Sequence, residues 1–197
     1  RQAMSLVKIL TAEFQKNEKI FELILDFYEF LSDDTWIQKY ILWELELFKN
    51  LGYSLEFKEI KNLEITQIAC WPEKLNELNN LLIKKLNINN IPTFNKGIVV
   101  ENNSLWRMEP LKFWLFNREI EISEEIATTL DMSHAFTGIE IKGDSSTLFL
   151  NRHLPIDLRN NNFPDLSSAS TAIHHVSVKL FKISLNNYCL YIPRGFA

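Results

Sequence analysis

The sequence predicts an α+β protein: a wholly helical N-terminal segment over residues 1–57, a short junction at 58–62, and an α+β domain over 63–197. Three observations carry that expectation. The apolar period is helical up to about Lys61 and alternates in twos beyond it. The first 61 residues contain one Gly and no Pro, whereas all six prolines and both cysteines lie beyond. At 46% hydrophobic, 12% aromatic and a formal charge of −4 over 197 residues, the chain has the composition of a packed core and not of a disordered polymer. The length suits one ordinary domain or two small ones.

Taken in order, Leu6, Ile9, Leu10 and Phe14 recur at the three- and four-residue steps of one helix face. A second helix follows with Ile20, Phe21, Ile24, Phe27, Tyr28 and Leu31 on a common face. It ends at Ser32-Asp33-Asp34, whose short polar side chains suit the N-cap of the next helix. That helix spans roughly Thr35 to Leu51, with Ile37, Ile41, Leu45 and Phe48 on one side and Gly52 as its left-handed terminator. These stripes read as core packing within a helical hairpin or bundle fragment. Past Lys61, Leu63–Cys70 alternates and is rich in β-branched residues, so it is a strand. Pro72 opens a helix whose apolar face is Leu75, Leu78, Leu82 and Leu86.

Short strands are then expected at Gly97–Glu101, Ser104–Met108, Lys112–Phe116, Thr129–Met132 and Ala135–Lys142. A compact helix covers Ser145–Arg152, and paired strands Val176–Ser184 and Tyr188–Ile192 close on an Asn186-Asn187 turn. The stretch Ser167-Ser168-Ala169-Ser170-Thr171 reads as a loop.

Function classes fall away quickly. The longest apolar stretch, Trp36–Leu51, is broken by Lys39, Glu44, Glu46 and Lys49, short of the ~18–20 uninterrupted residues of a membrane helix. A pI near 5.6 gives no general attraction to nucleic acid or an anionic membrane. Cys70 and Cys189 stand alone without metal or CxxC spacing, which predicts free thiols, no disulfide scaffold and a cytoplasmic setting. The chain begins at Arg1 and stops at Ala197 without a polar tail, and we read both ends as truncated.

No candidate constellation supplies catalysis. Gly143-Asp-Ser-Ser-Thr147 lacks a phosphate-loop pattern and reads as a helix cap through Asp144 or Ser145. His174 and His175, adjacent on a strand, point to opposite faces and are poorly placed to share a metal. His134 and His153 are isolated, although His134 follows Asp131 at three residues. Cys189 among Tyr188, Leu190 and Tyr191 reads as an inert packed thiol. Trp106, Phe113 and Trp114 interleave with Leu105, Met108 and Leu115 and read as core. The expected inventory is therefore empty: no catalytic residue, no cofactor-binding residue and no metal ligand in this chain.

Two stretches nevertheless resemble known families. Leu130-Asp-Met-Ser-His-Ala135 followed by Gly138-Ile-Glu-Ile-Lys-Gly143 resembles the "D-S-H" segment of the sarcosine oxidase gamma subunit family. Leu154-Pro-Ile-Asp-Leu158 with Phe163-Pro164 is similar to its "C-P-L-D-L … F-P" segment, with His153 in the place of the Cys. Ser170-Thr171 stands in the place of its "Q-T". Tyr191-Ile-Pro-Arg-Gly-Phe-Ala197 is similar to its terminal "R-S-F-A", with Gly195 for Ser. Leu105-Trp106 with Glu109-Pro110-Leu-Lys-Phe-Trp-Leu115 resembles its "L-W-L-G-P-D-E-W-L", with Glu109 for the Gly. The matches run in order over about Asn62 to Ala197.

The resemblance implies a fold related to the folate-binding domain of glycine-cleavage aminomethyltransferases. It also implies a non-catalytic accessory subunit of a heterotetrameric flavoenzyme that demethylates sarcosine, within one-carbon metabolism. Its partners would be the alpha, beta and delta subunits, and flavins, NAD and tetrahydrofolate would be carried by those partners. Trp71, Phe94, Phe163 and Phe196 are then the expected interface side chains. A folate-binding enzyme in its own right would need an acidic pterin ligand, for which only Asp131 and Asp157 lie inside the matching motifs.

The first half resembles something else. Tyr40-Ile-Leu-Trp-Glu-Leu-Glu-Leu-Phe-Lys-Asn-Leu-Gly-Tyr53 is similar to the "F-E-L-x-L-L-x-x-L-G-Y" helix of the RecO recombination and repair family, over about Val7–Phe57. That family's oligonucleotide-binding barrel and cysteines have no counterpart here. Two resemblances in one chain read as a fused reading frame or an assembly artefact, with a DNA-repair remnant as the alternative function. Residues 1–61 carry 8 basic and 11 acidic side chains, so DNA binding is not expected.

Overall fold

The computed structural model describes residues 18–30, 39, 43, 46–50, 55–173 and 175–196. The expected helix over Leu6–Phe14, the Ser32-Asp33-Asp34 cap, Gly52, His174 and much of the helix from Thr35 lie outside them. The chain divides into two compact units, Arg1–Leu55 with Gly143–Ser145, and Glu56–Lys142 with Ser146–Ala197.

In the first unit, helix α1 spans Glu18–Phe30. Ile20 and Phe27 are buried, and the Phe27 ring lies 4.9 Å from that of Trp43. The Trp43 indole N–H donates to the carbonyl of Leu23, and Leu47 and Phe48 are buried. The expected six-residue face is not buried as a whole, because Phe21 and Tyr28 are 62% and 58% exposed. At about 100° per residue those two lie roughly a quarter-turn from Ile20 and Phe27, too far round for one contact line.

The second unit is α+β, built on two five-stranded antiparallel sheets. Its elements are β1 (Glu56–Ile60), β2 (Ile65–Cys70), α2 (Leu75–Leu86, entered by a 3₁₀ turn at Pro72–Lys74), β3 (Gly97–Val100), β4 (Asn103–Glu109) and β5 (Lys112–Phe116). They continue with β6 (Ala127–Asp131), β7 (Phe136–Lys142), α3 (Ser146–His153), β8 (Ser168–Ile173), β9 (Val176–Ser184) and β10 (Asn187–Pro193). One sheet has the order β1-β7-β10-β9-β8, the other β3-β4-β5-β2-β6.

Three apolar layers explain the sequence pattern. Phe113 and Leu115 of β5 join Leu78, Leu82 and Leu86 of α2, while Trp114 and Phe116 point the other way, toward Phe136, Phe181 and Tyr191 of the opposing sheet. Tyr188 and Leu190 of β10 pack with Leu150 and Leu154 around α3, while Cys189 and Tyr191 face the inter-sheet layer. Strands buried on both faces lose their polar alternation, hence the continuous runs at 113–116 and 188–192. Asn87 ends α2 in the left-handed region at φ 54, its N–H donating to the carbonyl of Ile83. Asn186, at φ 59, makes the β9–β10 turn, and the strand register shifts immediately behind it.

Two expectations are corrected. Residues 58–60 are not a linker and 56–57 are not helical: Glu56–Ile60 is a strand paired residue for residue with β7, from Glu56 opposite Lys142 to Ile60 opposite Gly138. Ser168–Ile173 is a strand and not a loop, paired with β9 along its length. Both lie at a sheet edge, where only one neighbouring strand constrains them, and neither carries an apolar period.

Candidate functional site

The segments that carry the family resemblance perform identifiable jobs in this fold. Asp131 closes the β6–β7 turn by accepting the Ser133 N–H at 2.9 Å, and the Ser133 hydroxyl accepts the Ile65 N–H at 3.0 Å, tying that turn to the start of β2. Those bonds hold the Asp131 carboxyl below its usual range. His134 is exposed in the same turn. Farther on, Leu154 and Leu158 are buried under α3, and Asp157 accepts both N–H groups of the Arg159 guanidinium at 2.6–2.9 Å together with the Arg159 backbone N–H at 3.0 Å. Asn162 adds a fourth partner at 2.6 Å, and the Asp157 carboxyl lies far below the ordinary carboxylate range, chiefly through Arg159. Both acidic residues thus hold turns of the chain.

Other singled-out residues are also placed in the architecture. Thr147 shares a 2.7 Å hydrogen bond with the Tyr188 hydroxyl, Ser146 is fully buried, and Gly143 takes φ 125, a backbone region that favours glycine. The His153 ring lies 4.7 Å from that of Phe149, tilted by 53°, and His175 is exposed. Trp106 and Trp114 lie in the inter-sheet layer and Phe113 on the α2 side. Trp71, Phe94 and Phe196 are 46%, 53% and 72% exposed, but Phe163 is 8% exposed and belongs to the core. Cys70 and Cys189 are buried free thiols. Among the described residues no group of three or more His, Cys, Asp or Glu is placed to hold a metal, and no helix is long and apolar enough to cross a membrane.

A concave surface runs along β1, lined by Phe57–Lys61, Glu140, Cys189 and Tyr191. Register explains this set: Lys58 and Ile60 stand opposite Glu140 and Gly138 of β7, which stand opposite Cys189 and Tyr191 of β10. Gly138 is required here, since a Cβ would sit 2.9 Å from the Tyr191 ring and 3.3 Å from Ile60. Glu140 pairs with Lys142 at 2.8 Å. Burial, then the Glu140 carboxylate, pushes the Cys189 thiol up to about 12, with Lys142 opposing. Burial likewise raises Tyr191, with Cys189 and Glu140 adding to it. A thiol held neutral beside a carboxylate is not a nucleophile. This face combines aromatic, aliphatic and mixed-charge groups on an edge strand.

A test follows from these thiols and phenols. Cys70, Cys189, Tyr188 and Tyr191 are all raised, mainly by burial, whereas Lys179 is lowered by burial and opposes them. An acid whose pKa is raised on folding stabilises below its unfolded pKa and loses that contribution as pH climbs through the folded one. Urea unfolding is expected to show undiminished stability below the ordinary thiol value of 9.0 and a decline from there through about 12. Both thiols should react with Ellman's reagent at the rate of unfolding. Immediate reaction in native buffer contradicts the packing described.

Two antiparallel sheets face to face, each with a helix on its outer side, define the class of fold. No family model and no curated protein matches the sequence. Among solved structures the chain is similar to a chain of "Heterotetrameric Sarcosine Oxidase from Corynebacterium sp. U-96 in complex with pyrrole 2-carboxylate", with a TM-score of 0.63, 16% identity, and coverage of 72% of this chain and 77% of that one. At that identity the likeness is one of fold.

Proposed function

We propose that the chain is the accessory, gamma-type subunit of a heterotetrameric sarcosine oxidase, contributing interface and not chemistry to the oxidative demethylation of sarcosine. The observation that carries this reading is the fold likeness to a chain of such an enzyme. The two coverages are similar, so the neighbour's chain is about as long as this one. The matched share of this chain is also close to the share its larger unit occupies. In this reading the subunit domain is that unit, and the helical segment before it is a fused appendage. Flavins, NAD and tetrahydrofolate belong to the alpha, beta and delta partners, in the cytoplasm. The turn-forming roles of Asp131, Ser133 and Asp157 support a scaffold.

Co-expression with alpha and beta subunits of a heterotetrameric sarcosine oxidase is the test. A yellow, flavin-containing complex that retains this chain on gel filtration is expected, while the chain alone is colourless and leaves sarcosine unoxidised. A chain that elutes apart from an intact alpha–beta complex defeats the assignment. Salt-sensitive binding of the chain to single-stranded DNA instead favours the repair reading.

A further inference from the structure

The two sheets are stitched together at one corner. The Gly97 N–H donates to the Leu166 carbonyl at 2.9 Å and the Ser168 N–H to the Asn95 carbonyl at 2.8 Å, which sets Lys96 opposite Ser167 in an antiparallel bridge. Beside this stitch lies a cavity of about 440 Å³ whose walls include Lys96, Ile156, Asp157, Asn162, Phe163 and Ser167. That volume lies within the ~300–1,000 Å³ of ordinary small-molecule sites.

The polar groups of the cavity are fixed in advance. Ser167 is 4% exposed, and its hydroxyl accepts a 2.7 Å hydrogen bond from Lys96 Nζ, which holds the ammonium at the seam. An ammonium has three N–H donors, so two remain available. Among the described residues no carboxylate forms an ion pair with Lys96, and the Asp157 oxygens are already committed to Arg159 and Asn162. Behind the Phe163 wall a second ammonium, that of Lys182, donates to the Phe163 carbonyl at 2.9 Å. Asp165, at 3.6 Å, answers that charge. The balance over Lys96, Arg159, Lys182, Asp157 and Asp165 is one positive charge, and it resides on Lys96.

We propose that this cavity is a binding site for a small monocarboxylate, whose oxygens take the free N–H donors of Lys96 while a short apolar body lies against Ile156 and Phe163. One uncommitted cation matches one negative charge. A cationic ligand finds no free carboxylate, and a multiply charged phosphate finds too few donors. The site lies wholly within the larger unit and does not depend on the subunit reading.

The probe is benzoate, with benzylamine as its cationic counterpart, in ¹H–¹⁵N NMR titrations of the full chain. Saturable shifts are expected at the amides of Asn95, Lys96, Asn162, Phe163 and Ser167. Lys96→Met should weaken binding about tenfold, the loss of one charge-assisted hydrogen bond. Ser167→Ala keeps the charge, releases its position and should weaken binding to a lesser degree, which preserves the test if the methionine variant's own spectrum is that of an unfolded chain. Lys179→Met, which removes an ammonium bonded to Ser170 instead, should leave binding unchanged. Shifts that do not saturate, benzoate affinity insensitive to both Lys96→Met and Ser167→Ala, or equal binding of benzylamine each overturn the proposal.

Discussion

Replacing Gly97 with alanine is expected to cost about 3 kcal/mol or more of folding stability, the upper range for overpacking a closed core. Gly97 pairs directly with Trp106 across β3 and β4, and the indole lies over the glycine. A Cβ there would sit 2.4 Å from both Cδ2 and Cε3 of the indole and 2.7 Å from Cζ3. The ring has nowhere to retreat. Trp106 is 1% exposed, its ring packs edge-on against Phe181 at 4.8 Å, and its N–H donates to the Ser104 hydroxyl at 2.9 Å. Backbone movement is blocked as well, since the Gly97 N–H is bound to Leu166 at the corner where the sheets meet. Urea denaturation measures the loss. Combining Gly97→Ala with Trp106→Leu should recover part of it, because the smaller side chain vacates the contested space. A single variant within about 0.5 kcal/mol of the parent chain shows that this contact is not closed.

How far the sequence reveals this fold depends on which residues are covered on both sides. β5 and β10 were legible because their neighbours on two faces and two edges demand unbroken apolar runs, as at Phe113–Phe116 and Tyr188–Tyr191. Helix α2 was legible because Leu78, Leu82 and Leu86 occupy one face and all three are buried. Edge strands β1 and β8 were not. Glu56, Lys58 and Glu59 on β1 are exposed, and β8 is built of Ser, Ala and Thr with a single Ile, so pairing and not burial makes them strands. The candidate sites were opaque for a related reason. The Lys96–Ser167 contact joins residues 71 positions apart, and the Lys58, Glu140, Cys189 face is assembled from three strands by register alone. No local spacing encodes either. Asp131 and Asp157, inside the family-like motifs, close turns through hydrogen bonds that the sequence does not announce.

The second large effect is expected at Lys182. On β9 it shares a face with Val178 and Leu180 and is only 1% exposed. Its ammonium donates to the Asn160 side-chain carbonyl and to the Phe163 backbone carbonyl, each at 2.9 Å, and stands 5.8 Å from the centre of the Tyr188 ring. The segment from Leu154 to Ser167 has no regular structure of its own; backbone bonds hold Leu166 and Ser167, and the lysine side chain anchors its middle to the sheet. Lys182→Ala removes the anchor, leaves the Phe163 carbonyl without its donor and opens a cavity beside Tyr188. The expected loss is about 3–5 kcal/mol, the sum of a buried carbonyl left without its donor and the cavity left by the lysine stem. Asp165→Asn should cost no more than about 1 kcal/mol, because Asp165 is half exposed and 3.6 Å away. The contrast isolates the neutral acceptors as the important partners. Limited proteolysis supplies a second readout: Lys182→Ala should be cut between Asp157 and Ser167 under conditions where the parent chain is resistant. Equal stability of the alanine variant and the parent would mean that this segment is held by its apolar contacts, Leu158 and Phe163, without the buried ammonium.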